Sequence, residues 1–288
     1  MSPEKSLKPK KSLGQHFLHS PSALKKIVEA AKIMPDETVL EIGPGTGILT
    51  EALLATGAQV VAIEKDARAY EVLSQKFSKE LASKQLKLII GDILEENFEK
   101  LGAEDIKEGK YALVANIPYY ITGAILEKFL EHTPRPNRMI LLVQKEVAER
   151  IIARDKKESV LSISVKAFGT PHIVAIVPRG AFVPAPNVDS AILEITDISD
   201  VRFNPNIEKM ALNSQKTLAI PRFFKIVKAG FAHKRKFARR NLENLAGTEE
   251  FITREKIEEI WQKIGLDEKI RPEDMTVKNW LEILTLSC

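Results

Sequence analysis

The chain has 288 residues, enough for one large domain or a large and a small one, and its 44% apolar content is that of an ordinary globule. Lys and Arg number 43 against 39 Asp and Glu, so the net +4 says little about nucleic acid until its distribution is known. The single cysteine, Cys288, excludes a disulfide framework or a cysteine-built metal centre. No apolar run nears the ~18 residues of a membrane span, and no signal segment follows the first lysines, so a cytoplasmic chain without membrane contact or metal is expected.

Residues 1–13 are polar, with Lys5, Lys8, Lys10 and Lys11. They form either a solubilising tail or a basic arm for phosphates. Gly14-Gln15-His16-Phe17-Leu18 then leads to a predicted helix over Pro21–Ala31, with Ser20 as N-cap and Pro21 at the first helical position. Phe17 and Leu18 are expected to pack this helix, and Gln15, polar among hydrophobes, to face a crevice.

An apolar strand over 38–42 runs through Glu41 into glycines 43, 45 and 47, and a helix over 47–56 follows. Glycine permits a sharp turn and close approach of backbone to a ligand. The spacing is not the G-x-G-x-x-G of dinucleotide domains, which disfavours a dehydrogenase. By itself the motif also suits a turn with no ligand.

Strand 59–63 ends in Glu64, 21 residues after Gly43 and close to the ~20 expected of an acid that grips ribose hydroxyls. After a helix over 67–82, strand 86–90 ends in Gly91-Asp92, where a carboxylate can accept from an adenine amine or serve the ribose side. Continuous apolar strands alternating with helices predict a parallel sheet covered on both faces, with a ligand crevice at the strand ends.

Strand 111–115 ends in Asn116-Ile117-Pro118-Tyr119-Tyr120 at that crevice. An amide oxygen, a carbonyl ahead of a proline and an aromatic ring suit an exocyclic amine on a planar base; the alternative is a turn merely shaped by Asn116 and Pro118. A helix over 122–130, a strand over 138–143 and a charged helix over 145–154 come next. Strands are expected over 161–168, 173–177 and 190–195. Phe182, held between prolines in the loop 178–186, either closes a base sandwich opposite Tyr119 or caps the core. Lys145 is a candidate phosphate contact, and Asp189 is expected to organise its loop through backbone N–H bonds.

Strand patterns stop after Asp200. Helices are predicted over 205–216, 221–232, 236–245, 253–264 and 276–285, with Thr253 a weak cap and Asp274 or Thr276 starting the last. The boundary falls at 197–204, giving domains 1–200 and 201–288. Lys228, Lys234, Arg235, Lys236, Arg239 and Arg240 stand within 13 residues with no acid between them. This is either a phosphate-binding surface or a solvated face.

Taken together, Lys11-Ser12-Leu13-Gly14-Gln15-His16-Phe17-Leu18, Glu41-Ile42-Gly43-Pro44-Gly45-Thr46-Gly47, Asn116-Ile117-Pro118-Tyr119, Gln144-Lys145-Glu146-Val147 and Phe182-Val183-Pro184-Ala185-Pro186-Asn187-Val188-Asp189-Ser190 resemble the S-adenosylmethionine-dependent small-subunit ribosomal RNA adenine N6-dimethyltransferases. The likeness runs from Lys11 to the C-terminus. It implies a Rossmann-like class I methyltransferase sheet with a small all-helical C-terminal domain.

The resemblance implies an S-adenosylmethionine site at Gln15, Leu18, Glu41, Gly43, Gly45, Gly47, Glu64, Lys65, Asp92, Ile93 and Asn116. It puts the target amine at Asn116 and Pro118 and stacking at Tyr119 and Phe182. RNA contacts are implied at Lys10, Lys11, Lys145, Lys234, Arg235, Lys236, Arg239 and Arg240. The implied reaction is dimethylation of two adjacent adenines in a hairpin loop near the 3′ end of small-subunit rRNA, by a monomer acting on that RNA or on an immature small subunit. Two departures stand out. Thr122-Gly123 replaces a commoner Ser/Thr-Pro, and no Tyr-Gly-Arg triplet precedes Leu161-Ser162. The rival readings are a large-subunit rRNA methyltransferase of the antibiotic-resistance type and a non-catalytic assembly factor.

Overall fold

The computed structural model describes residues 7–10, 13–95, 105–203, 213–233 and 235–287. The chain forms β1 (Phe17–Leu18), α1 (Pro21–Ala31), β2 (Thr38–Ile42), α2 (Ile48–Leu54), β3 (Gln59–Glu64), α3 (Ala67–Lys76), α4 (Ser78–Ala82) and β4 (Leu86–Ile90). It continues through β5 (Tyr111–Asn116), α5 (Thr122–Glu131), β6 (Arg138–Gln144), α6 (Lys145–Ile152), α7 (Val160–Phe168), β7 (Thr170–Val177), β8 (Phe182–Val183) and β9 (Ser190–Thr196). Helices α8 (Asn213–Gly230), α9 (Ala238–Leu245), α10 (Arg254–Ile264) and α11 (Val277–Ser287) close it. Two compact units result, Met1–Ala148 with Pro171–Ile198, and Glu149–Thr170 with Ser199–Cys288.

The first unit is built on a seven-stranded sheet in the order β4-β3-β2-β5-β6-β9-β7. Strands β2 to β6 run parallel, and β9 returns antiparallel to β6. Val39, Leu40, Val60, Ala62, Leu113, Val114, Ile140 and Leu142 are buried, as apolar strands covered on both faces must be. The chain leaves β2 outward to β3 and β4, then returns to β5 on the other side. This reversal opens a crevice beyond the carboxyl ends of β2 and β5.

Ser20 caps α1 as expected: its hydroxyl accepts from Ala23 N–H at 3.3 Å, with Pro21 in the first turn. The helix predicted over 67–82 breaks at Phe77, whose buried ring packs at the turn before α2. Residues 161–168, expected as a strand, form α7 instead. Ser159 Oγ accepts from Ser162 N–H and Ser159 N–H donates to Ser162 Oγ, a reciprocal cap that commits an ambiguous apolar run to helix.

In the second unit Phe168, Phe203, Phe223 and Phe224 form a chain of ring contacts, and Trp261 and Trp280 are fully buried. The two helices predicted on either side of Pro221 give way to α8, which runs through that proline. Burial of Phe223, Phe224 and Val227 on the following turns offsets the lost backbone bond. The predicted start of the earlier helix, 205–212, lies outside the described residues. Thr253 does cap α10, through its hydroxyl and Lys256 N–H at 3.2 Å, and Thr276 caps Asn279 N–H at 3.3 Å ahead of α11. Among the described residues no helix is long and apolar enough to cross a membrane.

Candidate active site

A cleft lies at the strand ends β2, β3, β4 and β5 and is walled on one side by residues 13–18. Its floor is the turn after β2. Gly43, Gly45 and Gly47 all have positive φ, and Gly43 N–H reaches across to Ile63 O at 2.9 Å. A Cβ on Gly43 would meet nothing within 4 Å, whereas one on Gly45 would stand 2.9 Å from Phe17 Cε1. Gly43 therefore leaves room beside the cleft, and Gly45 lets the wall close on the floor.

Two carboxyls sit under this turn. Glu64 is 5% exposed; its Oε2 accepts from Gly45 N–H at 3.0 Å and its Oε1 from Asp66 N–H at 2.8 Å. It tethers the glycine turn to β3, a role beyond the ribose contact inferred from spacing. Burial raises its pKa, against the backbone bonds that lower it. Glu41 is 1% exposed, and its Oε2 is buried without a hydrogen-bond partner. Burial first, opposed by Thr50 and reinforced by the charge of Glu64, pushes the Glu41 carboxyl up to about 8. An orphaned acid beneath an open glycine turn suits a ligand that brings positive charge, as the sulfonium and ammonium of S-adenosylmethionine do.

Lys65, Asp92 and Ile93 line the far end of the cleft. Asp92 Oδ2 pairs with Lys65 Nζ at 2.5 Å and Oδ1 accepts from Leu94 N–H at 3.0 Å. The lysine beside it helps hold this carboxyl below its ordinary range despite partial burial. Gln15 lines the cleft too. Its Nε2 donates to Asp66 Oδ2 at 3.2 Å and its Oε1 accepts from Lys10 N–H at 2.8 Å. Asp66 also binds Arg68, which holds the aspartate down to about 2. Arg68 Nη1 in turn donates to Lys8 O at 3.3 Å, so Lys8 and Gln15 are both tied to the β3–α3 turn.

Asn116 ends β5 at the opposite lip. Its Nδ2 donates to His16 O at 3.1 Å. A carbonyl can only accept, so this bond turns the amide nitrogen to the wall and leaves Oδ1 on the other side. Pro118 O accepts from Ile121 N–H at 3.1 Å and closes a short 3-10 turn over Tyr119–Ile121.

Tyr119 differs from expectation. Its ring is stacked on His16, centroids 5.8 Å apart, and its hydroxyl bonds Ser190 Oγ at 2.7 Å. His16 is itself held by Pro184 O at 2.7 Å from Nδ1. Phe182 is 2% exposed in the core and does not line the cleft. It lies in β8, which pairs antiparallel with β1 through Phe17↔Val183 and Leu18↔Phe182. Leu18 reaches the cleft and is buried. His16, Asp66 and Tyr120 were not singled out from sequence, although His16 sits inside the Gly-Gln-His-Phe-Leu run.

The chain matches the family model described as ribosomal RNA adenine dimethylase over residues 6–284. The chain belongs to the ribosomal RNA adenine dimethylase family. It is 38% identical over 278 residues to the ribosomal RNA small subunit methyltransferase A of Dehalococcoides mccartyi strain CBDB1, covering 96% of this chain and 88% of that one. It is 37% identical to the protein of the same name from Levilactobacillus brevis, over 95% and 88%. Among solved structures, a dimethyladenosine transferase from Plasmodium falciparum superposes with a TM-score of 0.74 at 27% identity, over 93% of this chain and 96% of that one. The enzyme is thus an S-adenosylmethionine-dependent rRNA adenine N6-dimethyltransferase.

Of the basic residues proposed for RNA, Lys10, Arg235, Lys236 and Arg240 are exposed, and Lys145 is half-buried with its N–H on Asp189 O. Asp189 Oδ1 accepts from Arg179 N–H at 2.9 Å, the loop-organising role expected of it. Lys11 and Lys234 lie outside the described residues. Arg239 is different from its neighbours. Its side chain is 18% exposed and pairs with Glu268 and Glu258 at 2.5 Å and Glu243 at 3.6 Å. The acids missing between the cations in sequence are supplied by α9, α10 and the segment after it.

Proposed function

We propose that this dimethylase acts on small-subunit rRNA, on two adjacent adenines of a 3′-terminal hairpin loop, with Asn116 aiming the reacting amine. The relatives named for small-subunit rRNA support the choice of substrate. One observation carries the role of Asn116: its Nδ2 is committed to His16 O, so Oδ1 is the acceptor that a substrate amine meets.

The cofactor, when bound, supplies a methyl group on a sulfonium. Gly43 leaves room for it at a turn that Gly45 and Gly47 shape, Glu41 faces its positive charge and Glu64 its ribose hydroxyls. Lys65, Asp92 and Ile93 hold its nucleoside end, with Gln15 and Leu18 at the wall. Adenine N6 is a poor nucleophile because its lone pair is delocalised into the ring. Asn116 Oδ1 and the carbonyl ahead of Pro118 take the two amine hydrogens and turn the lone pair toward the methyl group. Orientation supplies much of the rate; the positive charge passes from sulfur to N6, whose proton is then acidic enough to leave to water, so no strong general base is required. The loop adenine leaves its stack to enter the cleft.

For stacking on that adenine, Tyr119 serves; Phe182 serves as support within the β1–β8 wall. Residues 1–200 form the methyltransferase domain and 201–288 an RNA-binding domain, with Lys10, Lys11, Lys145, Lys234, Arg235, Lys236 and Arg240 as phosphate contacts. The protein works as a cytoplasmic monomer on the RNA or the immature subunit.

Mass spectrometry of RNA from unmethylated small subunits, incubated with cofactor and either wild type or Asn116→Ala, tests this reading. Wild type should add four methyl groups on two adjacent adenines. The variant should be slower by about 10²–10³ in single turnover, the typical loss of one aligned polar contact, with cofactor affinity unchanged. Methylation of large-subunit RNA alone, or a wild-type rate in the variant, overturns it.

A further inference from the structure

Three aromatic side chains follow from the motifs around the amine site, and two are already engaged. Phe182 is buried in the core. Tyr119 is covered by His16 on its face and tied to Ser190 at its hydroxyl. Tyr120 is the exception. It lines the cleft, yet it is 67% exposed, so most of the ring stands at the rim and faces outward.

One edge of the ring is nonetheless backed by protein. A Cβ built on Gly14 would stand 3.2 Å from Tyr120 Cε1 and 3.6 Å from Pro118 Cβ, and Gly14 has φ +59°. The backbone of Gly14 therefore lies close against the tyrosine edge. Pro118 O closes the turn that carries Tyr120, which fixes its backbone relative to Asn116 four positions earlier. An aromatic plane backed along one edge, open to solvent and mounted beside the amine acceptor, fits a planar ligand arriving from outside. Three of the groups placed for the cofactor are sunk in the cleft by contrast: Glu41 and Glu64 are 1% and 5% exposed and Ile93 4%.

We propose that Tyr120 is a substrate-positioning residue whose ring stacks on the RNA base next to the target adenine. This rests on the reading that Asn116 receives that adenine. When the target leaves its stack, its neighbour loses a stacking partner. Tyr120 replaces that partner, which sets the register of the strand on the cleft.

Tyr120→Ala and Tyr120→Phe test this with a hairpin RNA bearing the two adjacent adenines, at one fixed salt concentration. Base–aromatic stacking predicts a rise in RNA Kd of roughly 5- to 100-fold for the alanine variant. The phenylalanine variant should stay within about twofold, because the ring and not the hydroxyl does the stacking. Cofactor Kd by calorimetry and the unfolding midpoint should match wild type in both. An RNA Kd unchanged in Tyr120→Ala overturns the proposal and makes the ring a solvated side chain. A cofactor Kd that rises instead makes it a cover for the cofactor, which also overturns it. Failure of the wild-type enzyme to methylate the RNA counts against the functional reading, while the RNA-binding comparison still reads Tyr120.

Discussion

Glu41 carries the largest electrostatic cost in the cleft. Its carboxyl has a folded pKa of about 8 against an ordinary 4.5, because burial disfavours its charge. Between those values the folded chain binds this proton more tightly than the unfolded chain does, so stability falls as pH rises through that window. The full effect approaches about 5 kcal/mol. Glu41→Gln removes the titration. Thermal unfolding should show the variant gaining on wild type from pH 5 to pH 8.5, and a difference independent of pH would refute the assignment. Asn116 shows the same economy of placement, since one bond to a main-chain carbonyl decides which atom of its amide faces a substrate.

At the scale of elements, the turn between β2 and α2 uses its glycines for different ends. A Cβ on Gly47 would lie 2.6 Å from both Leu73 Cδ2 and Phe77 Cε2, and φ is +76° there. Both rigid neighbours are buried, so Gly47 lets α2 start against α3. Gly47→Ala should cost about 2–4 kcal/mol of stability, from the left-handed backbone and overpacking together. Gly43→Ala carries the backbone cost of about 1–2 kcal/mol without a clash. Its new methyl group stands beside the cleft, so its larger effect should be on cofactor Kd. Chemical denaturation paired with calorimetry separates the two, and equal stability losses would mean that the packing around Gly47 yields.

Across the whole molecule the net charge is small, and what matters is which cations remain free. Arg239 is neutralised by Glu243, Glu258 and Glu268, whereas Arg235, Lys236 and Arg240 are exposed. Arg240 pairs with Glu243 at 3.1 Å and is 72% exposed in its side chain. Charge reversal of Arg235, Lys236 and Arg240 to Glu should lower the log–log salt slope of RNA binding by about 1 per lost contact. Arg239→Glu should leave that slope unchanged and lower the unfolding midpoint, because three acids are left facing a fourth. An unaltered slope in the triple variant would make this a solvated face.

Much of the fold was legible because local signals and periodicity agreed. The strands ending at Ile42, Glu64 and Asn116, the Ser20 cap and the glycine turn follow from apolar runs and turn chemistry that act within a few residues. The order of motifs also sufficed to place the chain in its family. Long-range pairings were not legible. The β1–β8 pair joins residues 166 apart in sequence, at Phe17↔Val183, and buries Phe182, which local context left open between core and crevice. The stack of His16 on Tyr119 and the acids around Arg239 are likewise contacts between distant segments. Helix α7 escaped because a short apolar run fits either period, and a serine pair decided it. Sequence alone determined which chemical groups reach the strand ends. Only the tertiary structure decided which of them are already satisfied by protein and which remain open to a ligand, because hydrogen bonds and burial are made between residues that no local pattern connects.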